Sequence, residues 1–148
     1  MGLFMSKDEK LIIIVGCSYL GANIAGSLAG REIVIIDSNE NAFVRLPLSF
    51  EGEGIVGDAV EIFIMNSIHI ERAAAVISVT GNDNTNILVA HIAKSYYHVP
   101  YVTASLHEPE RERVCRDLDF NIVYPEKITA KEINDFLHVN VYTKRNSH

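Results

Sequence analysis

Residues 11–21 read Leu-Ile-Ile-Ile-Val-Gly-Cys-Ser-Tyr-Leu-Gly, and residues 32–37 read Glu-Ile-Val-Ile-Ile-Asp. The first stretch opens on an unbroken aliphatic run, Leu11 to Val15, in which every residue after Leu11 is β-branched. Such a run is the pattern of a strand buried on both faces. Gly16-Cys17-Ser18-Tyr19-Leu20-Gly21 then breaks the run in the pattern G-x-S-x-x-G. Helix-compatible sequence follows from Tyr19 to Ala29, with Gly21, Ala22, Ala25 and Gly26 small enough for close packing on a sheet. A second apolar run, Ile33 to Ile36, ends at Asp37. Strand, glycine loop, helix, strand and acid stand in the order of a unit that holds a nucleotide phosphate at a helix N-terminus and a ribose on a carboxylate.

The same alternation continues along the chain. A helix is expected from Asn39 to Leu46, stopped at Pro47. A short strand at Ile55-Val56 leads through Gly57-Asp58 into a helix over Val60–Ser67, and Ala74–Val79 is a fourth strand. Thr80-Gly81-Asn82-Asp83 supplies turn and cap residues for a long helix, Asn84–Tyr97. Thr85, Leu88, Val89, Ile92 and Tyr96 fall at helical spacing and mark its apolar face. A strand at Tyr101–Ala104, a helix from Pro109 to Asp119, a strand at Ile122–Tyr124 and a terminal helix after Pro125 complete the chain. Six strands alternating with helices predict an α/β, Rossmann-type doubly wound parallel sheet in the order 3-2-1-4-5-6, with an extra C-terminal helix. Residues 1–9 read as a charged leader, 10–138 as one nucleotide-binding domain and 139–148 as a tail.

Bulk properties narrow the function. A length of 148 residues suits one domain. The net charge of −6, with no basic stripe, argues against nucleic acid as partner. The apolar runs are far too short to insert into a membrane. Cys17 and Cys115 form no disulfide framework, and the expected location is the cytoplasm. The six histidines show no metal-ligand spacing, so no metal is expected. Cys17, at a helix N-terminus, reads either as an activated thiol or as a small residue tolerated in a turn.

In open α/β sheets, ligands sit beyond the carboxyl ends of the strands, where strand order reverses. The candidate binding residues gather there. Gly16 permits the tight turn, and Gly21 lets the helix approach the sheet. Ser18 stands where a glycine would admit a pyrophosphate, and its hydroxyl can donate to one phosphate oxygen. Asp37 either accepts hydrogen bonds from ribose hydroxyls or caps the next helix. Asp58, after the third strand, either accepts from an adenine amino group or caps a helix, and Thr80 and Gly81 either line the ribose and phosphate or belong to a cap. His107 and Glu108 follow the fifth strand on the same rim.

These stretches carry a family resemblance. IIIVGCSYLGANIA, IVIIDSNENAF, GIVGDAVE, IERAAAVISVTGNDNTNILVAHIAK and FNIVYPEKITAKEI together resemble the TrkA-N (RCK/KTN) nucleotide-binding domain of potassium channel and transporter regulators. The resemblance implies a cytosolic, non-catalytic regulatory domain that senses AMP, ADP, ATP or NAD(H) and acts on a membrane potassium channel or transporter. It places Gly16, Ser18, Tyr19, Leu20, Asp37, Ser38, Asp58, Ala59, Thr80 and Gly81 around the nucleotide, and Glu126 near the phosphates or a bound cation. It also implies a homodimer or larger ring through the C-terminal helix, where Ile133, Phe136 and Leu137 form an apolar stripe. The second domain that follows this helix in many members is absent from the sequence, which ends at His148.

Three departures bear on the phosphates. Ser18 replaces the second loop glycine, Tyr19 a frequent loop arginine, and Ser105 a basic residue at the end of the fifth strand. With no basic partner in sight, a triphosphate is poorly compensated, and AMP is the expected ligand. An NAD-dependent oxidoreductase domain, or a nucleotide-binding adaptor for some other partner, is the alternative reading.

Overall fold

The computed structural model describes residues 8–28 and 30–143. Six parallel strands form one sheet: β1 (Asp8–Val15), β2 (Glu32–Asp37), β3 (Glu53–Val56), β4 (Ala73–Ser78), β5 (Tyr101–Ser105) and β6 (Asn121–Val123). Their spatial order is β3-β2-β1-β4-β5-β6, the expected doubly wound topology. β1 occupies the centre, with Ile13 opposite Val34 on one side and Val76 on the other. It begins at Asp8, inside the stretch read as leader; residues 1–7 of that leader lie outside the described residues.

The aliphatic run of β1 serves two cores, because successive side chains of a strand point to opposite faces. Ile12 and Ile14 pack with Ala22 and Ala25 of α1 (Tyr19–Ser27) and with Ile33 and Ile35. Leu11, Ile13 and Val15 pack on the other face with Met65 of α2 (Ile62–Ser67) and with Val89, Ala90 and Ala93 of α3 (Asp83–Ser95). Ile13, Ile14 and Ile35 are completely buried. Each such side chain contributes about 2–3 kcal/mol on leaving water, which is why the run tolerates no polar residue. A smaller cluster of Ile87, Leu106 and Cys115 closes the β6 edge.

Three local expectations are corrected. The segments expected as helices at 39–46 and 109–119 are 3₁₀ helices, Glu40–Arg45 and Pro109–Cys115. In the first, Pro47 forces Leu46 into extended geometry (φ −69°, ψ 139°), leaving too little chain for settled α turns. In the second, Cys115 alone is buried, so no apolar stripe holds successive turns to the sheet. The third correction concerns α3. Its buried face is Asn86, Ile87, Val89, Ala90 and Ala93, whereas Leu88 and Tyr96 are exposed. Small alanines let α3 lie close on β4 and β5, and this outweighs the larger residues that suggested the other face.

Beyond β6 runs α4 (Pro125–Leu137), which buries none of its residues. A π-helical turn, His138–Tyr142, extends it into the first residues of the segment read as tail. Residues 144–148 of that tail lie outside the described residues.

Candidate nucleotide site at the carboxyl rim of the sheet

The strand order reverses between β1 and β4, and the loops after β1, β2, β3 and β4 part there around a cavity of about 510 Å³. Gly16 makes the sharp exit from β1 with φ +103°, a region that favours glycine. A Cβ on Gly16 would lie 2.8 Å from the Thr80 amide nitrogen. A Cβ on Gly21 would run into the Gly16 carbonyl oxygen. The two glycines of the motif therefore solve one packing problem: they let the α1 end, the β1 exit and the β4 exit converge.

Ser18 is the N-cap of α1. Its Oγ accepts from the Gly21 amide at 3.1 Å and donates to the Val79 carbonyl oxygen at 2.9 Å. The hydroxyl hydrogen is thus directed at the β4 exit, which corrects the expectation that it donates to a phosphate. The amides of Tyr19 and Leu20, in the first turn of α1, have no acceptor among the described residues, as the first N–H groups of a helix lack intrahelical partners.

Asp37 holds the rim together. Its Oδ2 accepts from the Cys17 amide at 2.9 Å and its Oδ1 from the Asn39 amide at 2.8 Å, while its backbone carbonyl receives the Gly57 amide at 3.0 Å. The N-cap of the following 3₁₀ helix is Asn39, so Asp37 is not that cap. Each carboxylate oxygen retains a second lone pair for a ligand hydroxyl. Asp58 is exposed and turns the chain through Oδ1, which accepts from the Val60 amide at 3.0 Å; Glu61 is the residue that precedes α2. Across the rim the N-cap of α3 is Asn82, which leaves Thr80 and Gly81 to face the cavity.

The cavity brings together Gly16, Ser18, Asp37, Ser38, Asp58, Ala59, Thr80 and Gly81. Tyr19, Leu20, Gly21 and Glu126 do not line it. Tyr19 turns its ring outward beneath the Arg45 guanidinium, and Gly21 is buried behind the loop. Glu126 lies farther along the rim in the first turn of α4, where its carboxylate stands 2.6 Å from His107 Nδ1. His107 in turn borders a second hollow of about 230 Å³, which shares Gly81 and Asn82 with the main cavity.

Two contributors escaped the sequence reading. Arg45 lines the cavity and donates from Nη1 to the Cys17 carbonyl oxygen at 2.9 Å, which corrects the expectation of a site without a basic partner. A usable signal existed: Arg45 is the sole Lys or Arg between Arg31 and Arg72. Asn86 is the second. Fully buried, it accepts from the Thr80 amide at 2.9 Å and donates to the carbonyl oxygens of Thr80 and Ser105, each at 3.0 Å. Ser105 is buried in this network, so the end of β5 presents no side chain to a phosphate. Cys17 is buried as well. Burial pushes its thiol pKa up, the Asp37 carboxylate pushes it further, and Arg45 offsets only part of this.

A sequence model of the TrkA-N domain matches residues 12–125. The Trk system potassium uptake protein TrkA of Streptomyces coelicolor is 31% identical over 124 residues, covering 82% of this chain and 56% of that protein. The chain spans about half the length of the curated relatives it matches. Among solved structures, the GsuK channel bound to NAD superposes with a TM-score of 0.73 at 21% identity, over 92% of this chain and 24% of that one. The Shewanella denitrificans Kef CTD in its AMP-bound form superposes with a TM-score of 0.64 at 14% identity, over 88% and 82% of the two chains. Among the described residues no helix is long and apolar enough to cross a membrane. The glycine loop, the acid ending β2 and the reversal of strand order thus coincide with a family match over most of the length: the chain belongs to the TrkA-N domain family.

Proposed function

We propose that this chain is the nucleotide-sensing part of a cytoplasmic regulator of potassium transport, and that it binds an adenine nucleotide without turning it over. The observation that carries the reading is the rim cavity, which Asp37 lines together with Gly16 and with Ser18, the N-cap of α1. In this reading Gly16, Ser18, Asp37, Ser38, Asp58, Ala59, Thr80 and Gly81 surround the ligand, with Asp37 on the ribose and Asp58 toward the base. Tyr19, Leu20 and Gly21 contribute through the backbone of the α1 end, and Glu126 acts from farther along the rim through His107, which borders the neighbouring hollow. AMP is the preferred ligand, because among the described residues two carboxylates and a single cation line the cavity and compensate few phosphate charges. NAD(H) is the second reading, favoured by the adjoining hollow where a second nucleoside could rest. The potassium uptake name of the Streptomyces relative supports the transport role, and the ligands named for the GsuK and Kef structures support the nucleotide.

In this account the regulator is a homodimer, or a ring built from dimers, paired through α4. Ile128, Ile133, Phe136 and Val139 are all more than half exposed on α4 and its extension, more apolar surface than a lone helix leaves in water. Nucleotide binding then favours one arrangement of the pair, and a transporter or channel subunit at the membrane reads that arrangement. Thermal unfolding with AMP, ADP, ATP and NADH tests the reading. The expected result is a raised melting temperature with an adenine nucleotide and no consumption of it. Stabilisation by NADH alone, with turnover, would transfer the chain to the oxidoreductases.

A further inference from the structure

The guanidinium of Arg45 is held at one edge of the cavity by two contacts and is used up by neither. Nη1 donates to the Cys17 carbonyl oxygen at 2.9 Å, and the guanidinium carbon lies 5.0 Å from the centre of the Tyr19 ring. A guanidinium carries five N–H donors, so most remain available. Among the described residues no carboxylate pairs with it, although Asp37 and Asp58 line the same cavity. Asp37 and Arg45 instead grip opposite ends of one residue: the carboxylate takes the Cys17 N–H and the guanidinium takes the Cys17 C=O. Carboxylate and cation are thereby kept apart at fixed places on the rim.

From this we infer that Arg45 is the phosphate-recognising residue of the site, and that the pocket selects a nucleoside monophosphate over the bare nucleoside through it. The inference rests on the nucleotide reading above. An arginine fork matches two oxygens of one phosphate, and a guanidinium already oriented by a carbonyl and a ring loses little freedom when it does so. The cation comes from the 3₁₀ helix after β2 and not from the glycine loop, whose side chains at positions 18 and 19 are engaged elsewhere.

The test is calorimetric titration of the wild type, Arg45→Gln and Arg45→Lys with adenosine and with AMP, each protein first checked by its melting curve. The readout is the ratio of the two affinities, which cancels any general loosening of the rim. In the wild type, AMP is expected to bind at least about tenfold more tightly than adenosine, the scale of one charge-assisted contact. Arg45→Gln should bring that ratio down to about twofold, with Arg45→Lys in between because it keeps the charge and loses the fork. If Arg45→Gln does not fold, Arg45→Lys alone decides: an undiminished ratio overturns the inference. A ratio unchanged in Arg45→Gln, or equal binding of the two ligands by the wild type, overturns it while leaving nucleoside binding intact. Absence of binding by either ligand to the wild type removes the nucleotide reading itself, and this inference with it.

Discussion

The buried side chain of Asn86 clasps the backbone of Thr80 at two points, accepting from its amide at 2.9 Å and donating to its carbonyl oxygen at 3.0 Å. A residue of α3 thereby fixes the exit of β4, whose following loop forms one wall of the candidate site. Replacing Asn86 with Ala leaves the Thr80 and Ser105 backbone groups without their partner in a closed interior. The expected cost is about 2–4 kcal/mol in denaturant unfolding. A loss below about 0.5 kcal/mol would mean that water replaces the amide freely, and the rim is looser than described.

Gly16→Ala should destabilise through backbone and crowding together, since the residue sits at φ +103° with its missing Cβ against Thr80. A loss of about 1–3 kcal/mol is expected. Gly21→Ala drives a methyl into the Gly16 carbonyl and should push α1 off the loop, lowering nucleotide affinity more than Gly26→Ala, where the nearest atom is a Pro47 ring carbon at 3.0 Å. Equal affinities for the two alanine variants would show that the α1 end takes no part in binding.

Cys17 should behave as an inert thiol. It is buried, its Sγ donates to the Ala42 carbonyl oxygen at 3.3 Å, and its pKa is raised, so at neutral pH it stays protonated. Labelling with iodoacetamide at pH 7 should proceed far more slowly than in the unfolded chain. Raising the pH should accelerate it only above the ordinary thiol range, because the folded state disfavours the thiolate. Fast labelling at pH 7 that nucleotide suppresses would restore the activated-thiol alternative.

Pairing through α4 predicts that Phe136→Glu turns a dimer into a monomer by light scattering at high micromolar concentration. The melting temperature should change little, since α4 buries nothing within its own chain. A wild type that is already monomeric would refute the pairing.

The strand order was legible because the β-branched runs, the glycine loop and Asp37 each have a local signature. What stayed hidden is contact across the chain. Ser18 reads as a phosphate donor until Val79, 61 residues away, is seen to take its hydrogen. Arg45 looks like a surface residue on any helix, and the 3₁₀ geometry together with the turn at Pro47 is what delivers it to the loop. Asn86 was invisible for the opposite reason: a polar residue on a helix reads as solvent-facing, and here it is the hub of a buried network. Patterning by size likewise chose Leu88 and Tyr96 for the core of α3, where close packing selected the alanines.

The most direct measurement is calorimetric titration of the wild-type chain with AMP and with ATP under the same salt. A cavity lined, among the described residues, by two carboxylates and one arginine predicts one AMP per chain, bound at least about tenfold more tightly than ATP. Much tighter binding of ATP, or no binding of either, would contradict it.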